Sequence, residues 1–153
     1  ALGQSAIPRL AGYYHSGKIR LFYLLLIKLL MIVTVMGFVL IGATHFLGDK
    51  ILSIVFSQSY VAYANYLPWA MVAGLMIYVY SILGISITAA RYFRIQPFML
   101  IAAVVVTAVL SLWLIPEYGI QGAILTMIGS GFFQIIVRLV IIFHLMKEKN
   151  NKI

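Results

Sequence analysis

The chain has 153 residues, 64% hydrophobic and 9% charged, with 11 Lys and Arg against 3 Asp and Glu for a formal net charge of +8. Soluble domains carry roughly 45–50% apolar residues, so these charges are too few to cover a water-soluble sphere, and lipid is the solvent this composition demands. The basic residues gather at the ends of apolar stretches rather than on one polar face, which argues against a nucleic-acid partner, and the absence of Cys excludes disulfides and thiolate chemistry.

The chain opens on Ala1 rather than Met, with no signal peptide ahead of its apolar stretches, as expected of a segment of a longer protein or a processed product. Residues 1–20 read as the end of a preceding helix followed by a cytoplasmic loop. Four stretches then follow, at 21–47, 66–90, 97–115 and 122–146, each close to or above the roughly 20 apolar residues a helix needs to cross about 30 Å of hydrocarbon. Backbone groups in lipid must be satisfied within a segment, and the ten-residue alternation of a membrane barrel is absent. The expected fold is therefore all-α, a polytopic membrane bundle of four transmembrane helices.

Between the first two spans, 51–56 is apolar but too short to cross, and with Ser57, Gln58 and Ser59 behind it, it is expected to lie flat at the outer interface within the segment 51–60. Between the last two, Ile115-Pro116-Glu117-Tyr118-Gly119 reads as a helix stop: Pro116 disfavours the α region at Ile115, and Gly119 allows a tight turn. Residues 147–153 form a basic tail.

Charge gives the orientation. Arg9, Lys18 and Arg20 precede the first span, Arg91 and Arg94 lie between the second and third, and Lys147, Lys149 and Lys152 follow the fourth. The other two connections carry the near-neutral pair Asp49 and Lys50, and Glu117. By the positive-inside rule both termini and the 91–96 connection are cytoplasmic.

Little chemistry is available within the spans. The acids Asp49, Glu117 and Glu148 all sit at span ends, and His15, His45 and His144 lie in different segments, without the i, i+4 spacing of a helical metal site. No catalytic residue, metal ligand or cofactor site is expected, and no mid-membrane carboxylate is present to couple a proton or sodium ion.

Two cations do fall inside spans, Lys28 and Arg138. Each either snorkels to the cytoplasmic headgroups or marks a pathway. Arg138 is the deeper, and Ser130, Gln134 and Arg138 at i, i+4, i+8 share one helix face. A second stripe of Ser81, Gly84, Thr88 and Arg91 has the small residues of ordinary membrane helix packing. If the cavity reading holds, Lys28, Arg91, Arg94 and Arg138 line it with positive charge suited to a phosphate or diphosphate headgroup. Tyr78, Tyr80 and Tyr92 are either interface anchors or the wall of a sugar path.

The run Leu114-Ile115-Pro116-Glu117-Tyr118-Gly119-Ile120-Gln121-Gly122-Ala123 resembles the LIPxYGxxGA junction between the last two helices of polysaccharide flippases, the Wzx-type O-antigen and capsule transporters of the multidrug/oligosaccharidyl-lipid/polysaccharide superfamily. Ala6-Ile7-Pro8-Arg9-Leu10-Ala11 resembles the cytoplasmic end of the preceding family helix, and 51–60 resembles the outer interfacial turn, with Ser57 where the family has Gly. The helix pattern matches the last four of about twelve family helices, in the second lobe of a two-lobed transporter. The resemblance implies a bacterial inner-membrane protein that moves an undecaprenyl-diphosphate-linked oligosaccharide to the outer leaflet, with the missing N-terminal helices as partners. It also makes Arg138 and Lys28 the natural cavity cations, with Gln134, Ser130 and Arg91 beside them. Alternatives are a related drug or lipid-linked precursor exporter, and a stand-alone four-helix scaffold in glycan assembly.

Overall fold

The computed structural model describes residues 2–55 and 58–150. It is 95% helical and, among the described residues, has no strand. Helix α1 spans Leu2–His15, α2 Ile19–Val55, α3 Leu67–Ala89, α4 Gln96–Tyr118 and α5 Ile120–Asn150, with 3₁₀ segments at Gln58–Tyr66 and Phe93–Ile95. Among the described residues four helical segments are long and apolar enough to cross a membrane, the architecture of a multi-pass membrane protein.

Laterally the spans are ordered α2, α3, α5, α4: α3 packs on α2 and α5, whereas α4 packs on α5. Helix α1 docks against α3 and α2. Its Leu10, fully buried, joins Phe22, Leu26, Leu83, Ile87, Ala89 and Ile142 in an extended core cluster, at the end of the bundle where α2 starts and α3 ends. Elsewhere contact depends on small residues, as lipid supplies no hydrophobic drive for helix association. A Cβ on Gly37 of α2 would come within 2.5 Å of Leu75 Cδ1, and one on Gly131 of α5 within 2.8 Å of Met76 Cβ.

Helix starts follow proline chemistry. Pro68 and Pro97 occupy the first turns of α3 and α4, where a missing N–H forfeits nothing.

Two sequence expectations are corrected. The first span does not stop near Leu47. It runs without a break through Asp49 and Lys50, so 51–55 are the last turns of α2 rather than a separate interfacial piece. Nothing after Gly48 in this stretch breaks a helix, and Gly48 lets the helix pass close to the Ala64 carbonyl, 3.5 Å from where a Cβ would lie. Phe56 and Ser57 of the expected turn, and the tail from Asn151, lie outside the described residues. The second correction concerns Pro116, which sits inside α4 rather than ending it. A proline this near the C-terminus removes one hydrogen bond, and the Gly119 N–H bond to the Ile115 carbonyl, 2.8 Å, holds the turn closed beyond it.

The actual stop is Gly119, at φ 55° and ψ −124°, a region open essentially to glycine. Its carbonyl accepts from Ala123 N–H at 3.1 Å, so the same residue starts α5. Gly122 completes the hairpin, because a Cβ there would overlap the Leu114 carbonyl. Gly122→Ala is therefore expected to cost about 1–3 kcal/mol through forced separation of α4 and α5, read as a lowered thermal midpoint in detergent. Gly42→Ala, with nothing within 4 Å of the new methyl, should leave the midpoint unchanged or raise it.

Candidate functional site: an arginine between two membrane helices

Arg138 of α5 lies between its own helix and α3. Its Nη1 donates to Gln134 Oε1 at 2.9 Å, the guanidinium carbon stands 4.6 Å from the Tyr80 ring centroid, and a Cβ on Gly84 would lie 3.4 Å from its Nε. Glycine at 84 thus lets the guanidinium rest on the α3 backbone, and Tyr80 one turn away supplies a π face. The Nε is buried and, among the described residues, has no hydrogen-bond partner.

Depth and direction separate this residue from an ordinary snorkelling cation. Tyr80 is two residues past Tyr78, the midpoint of the 23-residue α3, so the guanidinium is held close to the middle of that span. Helical side chains lean toward the N-terminus of their own helix. On α5 that direction leads from Arg138 to Gln134, away from the nearer, lysine-bearing end of the helix. On α2 the same lean carries Lys28 toward the near end, about 13 Å away along the axis at Ile19. Lys28 is exposed, and the helical period puts it opposite the buried stripe of Phe22, Leu26, Gly37, Thr44 and Gly48. It does not join Arg138.

Of the other sequence candidates, Ser130 is buried one turn beyond Gln134 and its hydroxyl donates to the Met127 carbonyl at 3.2 Å. Arg91 and Arg94 are exposed in the α3–α4 connection. The Ser81 stripe does not serve one partner: Ser81 bonds back to the Ile77 carbonyl, Gly84 faces Arg138, and Thr88 accepts from Gln96 Nε2 at 2.9 Å. Tyr78 is exposed.

Sequence reasoning missed Thr126. It extends the stripe one more turn, so that Thr126, Ser130, Gln134 and Arg138 form a polar track about 18 Å long on α5. Buried membrane hydroxyls here usually donate to their own helix, as Thr44, Ser86 and Ser130 do. Thr126, 3% exposed, does not, and its Oγ1 has no partner. Among the described residues, no group of three His, Asp or Glu could hold a metal ion.

Arg91 has a feature of its own. At the end of α3, Arg91 N–H bonds the Thr88 carbonyl and Tyr92 N–H the Ile87 carbonyl, a Schellman closure with Arg91 at the left-handed position, φ 58°. The end of α1 uses the same closure, with Gly17 at φ 72° in that place. A non-glycine residue there costs on the order of 1 kcal/mol.

Comparison with protein-family models, with curated proteins and with solved structures finds no match to this chain.

Two outcomes are expected from substitution. Tyr80→Phe keeps the π face under the guanidinium and should leave the thermal midpoint in detergent unchanged, whereas Tyr80→Leu should lower stability by about 1 kcal/mol. Arg91→Gly relieves the backbone and should hold or raise the midpoint, by an amount worth up to about 1 kcal/mol; a fall would show that the arginine side chain stabilises the turn.

Proposed function

We propose that this chain is part of a transporter of a lipid-linked anion, a polysaccharide flippase carrying an oligosaccharide on a lipid diphosphate across a bacterial inner membrane. The observation that carries this reading is the Arg138 guanidinium, near mid-span, turned away from its nearer headgroups, with a buried Nε that no protein group accepts from. A cation in that position is expensive, about 2.5–3.5 kcal/mol on insertion scales. It is stabilised only partly by Gln134 and Tyr80, and a phosphate oxygen supplies what is missing: a charge-assisted acceptor.

The direction of entry follows from charge. Arg9, Lys18, Arg20, Arg91, Arg94 and Lys147 gather at one end of the bundle, and the positive-inside rule makes that end cytoplasmic. They raise the local concentration of anionic headgroups there. Lys28, near the same border, belongs to this collecting set rather than to the deep site. Apolar faces of α2 and α4 leave the lipid tail in hydrocarbon while the headgroup moves inside. The resemblance of the 114–123 junction to Wzx-type flippases supports the glycan as cargo and a two-lobed assembly with further helices as the working unit. Alternating access of two lobes around the arginine then delivers the headgroup to the outer leaflet.

The decisive experiment is glycan export in a deletion strain complemented with variants expressed at equal level. Arg138→Ala is expected to reduce surface glycan tenfold or more, and Arg138→Lys to restore part of it, since an ammonium keeps the charge but not the planar fork. Unchanged export with Arg138→Ala overturns the proposal.

A further inference from the structure

At the end of the bundle opposite the arginines, two neighbouring cavities of about 430 and 350 Å³ share Asn65 and Trp69 as a common wall. The first lies between α2, the 58–66 segment and α3, with His45, Asp49 and Thr44 on its α2 side. The second reaches α5 through Gln121, next to Tyr66. The two adjoin across Asn65 and Trp69, and each lies within the size range of small-ligand sites.

Their chemistry differs from that of the Arg138 site. No Lys or Arg lines either cavity. The Asp49 carboxylate lines the first cavity and the Asn65 carboxamide lines both. Gln121 Nε2 donates to the Tyr66 hydroxyl at 3.1 Å, which leaves its Oε1 and second N–H available. The Trp69 indole, 59% exposed, walls both cavities.

A diphosphate would meet Asp49 and no Lys or Arg among the lining residues. The other rings of that cavity are His45 and Phe46, packed edge to face at 5.2 Å; with Phe46 84% exposed they close no aromatic cage around an ammonium headgroup that meets the carboxylate. One flat aromatic face flanked by carboxamide and carboxylate groups suits a pyranose ring, whose C–H face stacks on indole while its hydroxyls donate and accept in the ring plane. The position fits as well: Trp69 is 11 residues before Tyr80 on α3, about 16 Å, a gap that an oligosaccharide attached to an anion at Arg138 bridges and a simple headgroup does not.

We infer that the Trp69–Asn65–Asp49–Gln121 groove is a second binding site, for neutral pyranose units of the cargo glycan. The inference rests on the proposed function for the glycan as ligand and adds where the sugar is held and which residues select it.

The test uses the intact protein in nanodiscs with Trp69 as its sole tryptophan, Trp113→Phe included, titrated with neutral hexose, N-acetylhexosamine and 6-deoxyhexose trisaccharides. At least one should change Trp69 emission saturably, with affinity weakened fivefold or more by Asn65→Ala and by Asp49→Ala and unchanged by Arg138→Ala. Gln121→Ala, in the second cavity, serves if a first variant misfolds by circular dichroism. The inference is overturned if no trisaccharide gives a saturable response, if the response survives all three groove variants, or if tetramethylammonium alone produces it. Sugar binding at Trp69 together with normal export by Arg138→Ala would uphold the groove and sink the transport reading; failed export without sugar binding would do the reverse.

Discussion

Everything in the bundle depends on how closely α3 and α5 approach. In lipid the apolar faces of two helices gain nothing by leaving solvent, so contact must come from packing and from polar groups with no better partner. Gly131 admits the Met76 side chain and Gly84 admits the Arg138 guanidinium, so one pair of glycines sets the spacing and creates the polar site together. Helix α4 is held through α5, and α1 and α2 through α3. A wider α3–α5 spacing would strand Arg138 and detach both halves of the bundle from each other.

Chain direction then decides which cation becomes deep. Lys28 and Arg138 both occur in apolar spans, yet α2 and α5 run in opposite senses relative to the basic end. The backward lean of helical side chains therefore returns Lys28 to the headgroups and drives Arg138 inward to Gln134 and Tyr80. The residue type matters here as well. A guanidinium can stack on Tyr80 and still present N–H groups in its plane, where an ammonium would have to choose. The unpartnered Nε and the unpartnered Thr126 hydroxyl mark the two ends of one polar track on α5.

What was legible in the sequence is what period and composition control. The four spans, the glycine turn at 119 and the shared face of Gln134 and Arg138 follow from apolar run length, from backbone permissiveness and from the 3.6-residue repeat. The failures have local causes. Asp49 and Lys50 look like a boundary because they are charged, but charge at the edge of lipid does not break a helix; Pro116 looks like a stop, but so close to a C-terminus it forfeits a single bond. Contacts between helices, such as Tyr80 with Arg138, depend on lateral order and rotation that no single-helix period records. Arg91 in a glycine conformation was invisible because its residue type argues against the turn it makes.

The two ends of the bundle differ in chemistry: cations and a deep guanidinium on one side, and on the other Asp49 beside Lys50, with carboxamides and an indole. Under the proposed function, that difference would orient a cargo with an anionic head and a polyhydroxyl chain, head toward the arginine and sugar toward Trp69. It does not by itself drive transport. A difference in affinity between two fixed sites sets where a ligand dwells and how its bound states are populated. Net flux needs a difference in free energy between the leaflets, through removal of product on the far side or an ion moving with the cargo.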